Sequence, residues 1–201
     1  MTTLWQQLNQ DISDTIEGAS RSLVQVRDGR RGAGAGTIWH ADGLVLTNAH
    51  VVRGQRPTVV LANGRELPAR VLALDAKHDL AALMVEASGL PMLALGESRN
   101  LVPGQVVIAI GHPWGVLGAV TAGVVIGVGD AWSDGPLNGR ELIATDLPLR
   151  PGNSGGPLLD AAGRLVGINA MVTGPNVSYA VPAHVAKAFL VETLGARPAA
   201  A

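Results

Sequence analysis

The sequence predicts an all-β fold, barrel or sandwich, with a helix at each end. Three observations carry this. From Thr37 to Val128, short apolar runs alternate with turn signals such as Ala41-Asp42-Gly43, Ala62-Asn63-Gly64-Arg65 and Val102-Pro103-Gly104, the rhythm of many short strands. Apolar residues at helical spacing mark the start of the chain, at Leu4, Leu8, Ile12, Ile16 and Ala19,. The 201 residues are 47% hydrophobic and include no cysteine, so one compact unit or two small lobes can build a core but must rely on packing alone.

Taken in order, residues 3 to 20 form an amphipathic helix packed on the body of the fold. The other use of its apolar stripe is a contact in which Trp5 docks on a neighbouring subunit. Ser22 to Val26 reads as the first strand, and Arg27-Asp28-Gly29-Arg30-Arg31-Gly32 as a solvated basic turn. The glycine-alanine run from Gly32 to Gly36 is no dinucleotide fingerprint, because it leads into Thr37-Ile38-Trp39 and more strand instead of opening a helix. Asn63-Gly64 is the tip of a hairpin. Gly, Pro, Ser and Asn scattered from residue 86 onward mark a crossing between lobes. Gly118 to Gly129 and Leu142 to Thr145 are strands around a polar segment, Asp130 to Arg140, read as an exposed loop. Leu158-Leu159 and Leu165 to Ala170 form a hairpin turning at Ala161-Ala162-Gly163, and a helix runs from Pro182 to Leu194 before the tail fades.

The stretch with chemical promise is Pro151-Gly152-Asn153-Ser154-Gly155-Gly156-Pro157. Glycines at 152, 155 and 156 leave the Ser154 hydroxyl unguarded and let consecutive N–H groups aim at one point. Acyl transfer needs that arrangement, a nucleophile beside preorganised donors for an oxyanion. The segment Gly152, Asn153, Ser154 would supply the donors, through the N–H groups of Gly152 and Ser154. A polar turn between two strands is the other reading of these seven residues.

A serine hydroxyl also needs a base. Of the five histidines, His40 and His184 lie near turn or helix-start signals and read as solvated, and His112 reads as a loop residue without a chemical role. His78 adjoins Asp79, but neighbours on an extended segment point to opposite faces. His50 lies at the end of Gly43 to Val52, where an apolar strand runs into a small-residue turn, a stiff mount. Asp79 heads the apolar run to Val85, where a buried carboxylate needs a partner that an imidazole N–H would supply.

The order His50, Asp79, Ser154 and the motifs around them resemble the HtrA/Deg group of trypsin-like serine proteases. Thr47-Asn48-Ala49-His50-Val51-Val52 is similar to the histidine motif, His78-Asp79-Leu80-Ala81-Ala82-Leu83 to the aspartate motif, and Pro151 to Leu158 to the serine motif. Ile108-Ala109-Ile110-Gly111-His112-Pro113 and Val166-Gly167-Ile168-Asn169 agree as well. The resemblance implies two perpendicular six-stranded β-barrels, with a first barrel over 21–90, a crossing over 91–105, a second barrel over 106–182, and helices over 1–20 and 183–201. It implies an endopeptidase acting on unfolded or peptide substrates, a trimer formed through the N-terminal segment, and a sensor loop near 130–140. PDZ domains commonly follow in this group, and none is expected within these residues.

In trypsin relatives the specificity pocket is built from residues shortly before the nucleophile and from the strand after it, here Pro148, Leu149, Asn169, Ala170 and Met171. No acid stands there, so an apolar pocket for Val, Ala, Leu or Ile is expected, with Ala170-Met171 pairing to the substrate backbone. Asn153 cannot pair with a newly cut N-terminus, so activation by clipping is not expected; ordering of the loops around Pro151-Gly152 takes its place. Two other classes fit the same scaffold, a chaperone-like binding protein with weak turnover and an esterase. The lack of a Gly-x-Ser-x-Gly elbow argues against an α/β-hydrolase. No cofactor or metal is expected. The formal charge of -1 gives no reason to expect nucleic acid,, and no apolar run reaches membrane-span length. The first residues lack a basic region and apolar core, so the expected compartment is the cytoplasm, or the periplasm or exterior if a signal has been removed.

Overall fold

Short, mostly apolar strands, several of them buried along their whole length, close two antiparallel barrels in the computed structural model, which describes residues 3–29, 33–54, 56–130, 139–172 and 177–195. In the first, β1 (Leu23–Arg27), β2 (Ala33–His40), β3 (Leu44–Thr47), β4 (Thr58–Val60), β5 (Glu66–Asp75) and β6 (Leu80–Val85) pair in the order β1-β2-β3-β6-β5-β4. The second holds β7 (Val106–Gly111), β8 (Ala119–Gly129), β9 (Leu142–Thr145), β10 (Pro157–Asp160), β11 (Leu165–Val172) and β12 (Ser178–Pro182), in the order β10-β11-β12-β9-β8-β7. Read around the ring, the second barrel repeats the connectivity of the first. Helices α1 (Leu4–Ser20) and α2 (Ala183–Leu194) flank them. Closure leaves no unpaired sheet edge running the length of either barrel.

Each barrel has its own core. Val24, Val26, Ile38, Val45, Ala81 and Leu83 fill the first, and Val107, Val125, Ile143, Leu158 and Val166 the second. A third cluster crosses between them: Trp39, Leu44, Leu46 and Leu80 from the first barrel pack with Leu142, Leu165, Ile168 and Tyr179 from the second and with Phe189 and Leu190 of α2. Each of the large aliphatic side chains contributes about 1.5–3 kcal/mol by leaving water. This shared core fixes one barrel against the other.

Three expectations are corrected here. The helix at the start forms as expected, but it is not packed on the body along its stripe: Leu4 and Trp5 are 78% and 77% exposed, Leu8 and Ile12 are also exposed, and only Ala19 is buried. The helix leaves the body at an end, so only its last turns meet other residues, as at Gly163 against Thr15. Ala33 to Gly36 of the glycine-alanine run do not precede β2 but lie inside it. A Cβ on Gly34 would come within 2.7 Å of the Val51 side chain, which is why a strand tolerates glycine here,. His184 is not solvated: Ser98 Oγ lies 2.8 Å from its Nδ1, and Glu141 Oε1 2.8 Å from its Nε2. Arg30, Arg31, residues 131–138 of the expected sensor loop and the tail from 196 lie outside the described residues.

The tight β5–β6 connection is closed by Asp75. Its carboxylate accepts the N–H of Lys77 at 2.8 Å and of His78 at 3.0 Å, and lies 2.6 Å from His78 Nδ1. Burial raises the Asp75 pKa, but the side-chain and backbone bonds from His78, the charge of that ring and the Lys77 N–H together hold it below the ordinary 3.8. A depressed carboxylate stabilises the fold above its unfolded value and loses that contribution as pH falls through the folded value. The stability gap between wild type and Asp75→Ala is therefore full at neutral pH and narrows as pH falls below 3.8; denaturant titrations at several pH values measure it.

Candidate active site

β3 delivers His50. The strand ends at Thr47, Asn48 is fully buried, and a single 3-10 turn over Ala49–Val51 lifts the imidazole to the surface with its side chain 47% exposed. Asp79 stands at the head of β6 and is 8% exposed. Its Oδ2 lies 2.7 Å from His50 Nδ1 and its Oδ1 accepts the His50 backbone N–H at 3.0 Å. An ionised carboxylate only accepts, so Nδ1 carries the proton and Nε2 is left as the basic nitrogen. The Asp79 carbonyl in turn accepts from Ala49 N–H at 3.2 Å and Asn48 Nδ2 at 2.9 Å. His78 faces Asp75, so sequence neighbours His78 and Asp79 do point different ways.

Ser154 arrives from the second barrel, on the loop before β10. One backbone and one side-chain bond tie that loop to the first barrel: Ala35 N–H donates to Ser154 O at 2.8 Å, and the Thr37 hydroxyl to Gly155 O at 3.0 Å. His50, Leu149, Arg150, Pro151, Asn153, Ser154 and Ala170 line one cavity of about 340 Å³. The Ser154 hydroxyl donates to the Ala170 carbonyl at 2.8 Å. That bond leaves the hydroxyl proton on the Ala170 carbonyl and not on the imidazole.

Residues 150–153 form a type II turn, with Pro151 and Gly152 at its centre, Gly152 at φ 107° and Asn153 N–H donating to Arg150 O at 3.0 Å,. The Asn153 N–H is thereby committed, so within the segment 152–154 Asn153 is the link between the two expected donors, Gly152 and Ser154. The Gly152 and Ser154 N–H groups have no acceptor among the described residues. Trp114 N–H holds the Pro151 carbonyl at 2.9 Å and His112 N–H the Gly152 carbonyl at 3.0 Å. In a trans peptide N–H and C=O point opposite ways, so the first of these bonds turns the Gly152 N–H away from the 112–116 loop. His112 is a loop residue, as expected, but a buried one that forms part of the wall behind this turn. Burial pushes its pKa down, opposed by the Val24 carbonyl, while its Nδ1 accepts from Gly118 N–H at 3.1 Å. The Arg150 guanidinium lies 6.0 Å from the Trp114 ring, within cation–π range,.

Residues 34–168 match the trypsin-like peptidase domain family. The chain belongs to that family. Among curated relatives it is 36% identical over 197 residues to the mitochondrial serine protease HTRA2 of Drosophila pseudoobscura pseudoobscura, covering 89% of this chain and 46% of that one. It is 42% identical over 159 residues to the probable periplasmic serine endoprotease DegP-like of Pseudomonas fluorescens, covering 76% of this chain and 33% of that one. The HtrA-type protease AlgW with tripeptide superposes with a TM-score of 0.82 at 33% identity over 92% of this chain and 64% of that one. The chain thus spans about half or less of these curated relatives, and its likeness within the trypsin-like peptidases is to the HtrA group.

Of the residues expected to form the specificity pocket of this peptidase fold, Leu149 and Ala170 line the cavity. Pro148 is exposed and does not line it. Asn169 does not line it either. It is fully buried, with its Nδ2 on Pro157 O at 2.9 Å and its backbone bonded to Gly155 and Gly156, so it braces the nucleophile loop. Met171 pairs with Tyr179 in β11, and its side chain lies outside what is described. Sequence reasoning missed Ala35 and the 112–116 loop, which act through backbone N–H groups that any side chain could carry, and Thr37, whose buried hydroxyl reaches a residue 118 positions away. Gly152→Ala is expected to lower kcat for peptide hydrolysis by about 100-fold or more, because the new Cβ would meet His112 O at 2.2 Å and φ 107° is closed to alanine. Steady-state kinetics alongside thermal melting separate this from unfolding.

Proposed function

We propose that the protein is a serine endopeptidase of the HtrA/Deg type, with His50 as base, Asp79 as the group that orients it and Ser154 as nucleophile. The observation that carries this is the 2.7 Å contact between His50 Nδ1 and Asp79 Oδ2, made at the rim of the cavity that Ser154 also lines. Bound peptide pairs with the end of β11 that runs past its pairing with β10, at Ala170-Met171, and its N–H takes the Ala170 carbonyl that Ser154 Oγ occupies in the free protein. The freed hydroxyl turns to His50 Nε2. As Oγ attacks the scissile carbonyl, its proton passes to Nε2, and Asp79 balances the imidazolium. The Gly152 and Ser154 N–H groups receive the oxyanion. The tetrahedral adduct collapses with loss of the amine, which takes the proton from Nε2. Water then repeats the sequence on the acyl-enzyme, with His50 as base, and restores Ser154.

Leu149 and Ala170 offer the side chain before the cut an apolar surface without a carboxylate, which supports cleavage after Val, Ala, Leu or Ile in unfolded chains, a chemistry suited to protein quality control. Ser154→Ala should lower turnover by about five to six orders of magnitude and abolish labelling by a fluorophosphonate, while the fold stays intact. Labelling without turnover of casein would favour the binding or chaperone-like reading instead. A peptide library dominated by cleavage after Lys or Arg would contradict the pocket assignment alone.

The exposed stripe of Leu4, Trp5, Leu8 and Ile12 on α1 supports self-association into a trimer through the N-terminal segment. Sedimentation equilibrium is expected to give three times the monomer mass, and Trp5→Ser with Leu8→Ser the monomer. A wild-type monomer at micromolar concentration contradicts this.

A further inference from the structure

The β5–β6 turn carries two carboxylates, and each holds a histidine. His78 Nδ1 lies 2.6 Å from Asp75 Oδ2, and His50 Nδ1 2.7 Å from Asp79 Oδ2. We propose that the Asp75–His78 pair is a positioning device for the reaction, fixing the backbone of the turn from which Asp79 reaches His50; the inference rests on the peptidase reading above.

Asp79 leaves that turn at φ 57°, and with Trp114 it is one of two non-glycine residues in the left-handed region among those described. Aspartate enters this region more readily than most residues, but it stays there only where its surroundings fix it. Upstream, the Asp75 side chain gathers the Lys77 and His78 N–H groups and the His78 ring, which closes residues 75–78 on themselves. Downstream, the Asp79 carbonyl is held by Ala49 and Asn48. Held on both sides, the Asp79 backbone leaves its carboxylate one direction.

The pair has a second consequence. His78 is the sequence neighbour of Asp79, and its ring is kept on Asp75. Both Asp79 oxygens are then used by His50, one by its backbone N–H and one by its ring. Neither Asp75 nor His78 lines the catalytic cavity. Their effect on turnover is therefore indirect, and Asp79 is the residue of this turn that reaches His50.

The test measures kcat and KM separately on a fluorogenic peptide for wild type, Asp75→Ala, Asp75→Asn, His78→Ala and Asp79→Ala, at a temperature where circular dichroism shows each folded. Asp75→Ala is expected to lower kcat by about 10- to 100-fold, the scale of a small misplacement of a catalytic group, with KM unchanged within about twofold. Asp75→Asn, which keeps an acceptor for the two N–H groups, should recover most of that loss. His78→Ala should lower kcat in the same sense, and it decides the matter should Asp75→Ala fail to fold. Wild-type kcat in folded His78→Ala and Asp75→Ala, with activity lost in Asp79→Ala, overturns this inference and leaves the peptidase reading standing. Activity retained in Asp79→Ala, or none in wild type, defeats the peptidase reading and this inference with it.

Discussion

The constraint on which the site depends is the buried carboxylate of Asp79. Removed from water, it must be satisfied by protein donors, and His50 supplies two of them, one from the ring and one from the backbone. That double grip sets both the position of the imidazole and its tautomer. Because β3 and β6 are paired neighbours, with Thr47 opposite Ala81, the two residues leave the same end of the sheet. Pairing register therefore brings them together before any side-chain contact is made. The cost of the left-handed conformation at Asp79 is spread over bonds from two segments of the chain, 48–50 and 75–78.

Ser154 has to reach the same place from the other barrel, and the solution is mostly made of backbone. Ala35 in β2 holds the Ser154 carbonyl, and Thr37 holds that of Gly155. Gly155 must be glycine because a Cβ would meet Ala35 O at 2.0 Å. The shared core beneath, with Leu46 and Leu80 against Leu165 and Ile168, keeps the strands that carry these bonds from sliding. Catalytic geometry and barrel packing are thus one arrangement, and a substitution that separates the barrels would dismantle both.

Much of this was legible in the chain because it is written in residue type. Short strands between glycine turns, the Asn63-Gly64 hairpin, α1 and α2, and the convergence of His50 and Asp79 all follow from patterns that side chains impose. The misses share a different cause. His112 and His184 read as idle or solvated because their partners lie far along the chain, Gly152 for the backbone of one and Ser98 and Glu141 for the ring of the other. Asn169 was read as pocket lining from its spacing after Ser154, but its amide points back to Pro157 O. The stripe on α1 correctly announced a helix, while periodicity could not say what covers it. The commitment of the Asn153 N–H to Arg150 O was invisible because it depends on the turn type adopted at Pro151-Gly152.

The most direct test of the central claim is a crystal structure of the protein with a peptidyl boronic acid ending in valine. The account predicts a bond from Ser154 Oγ to boron, with the hydroxyl gone from Ala170 O and a backbone N–H of the inhibitor in its place. One boronate oxygen should sit between the Gly152 and Ser154 N–H groups, with His50 Nδ1 still on Asp79. Boron unbound at Ser154, or bound there with its oxygens turned away from Gly152 and the imidazole detached from Asp79, would contradict it.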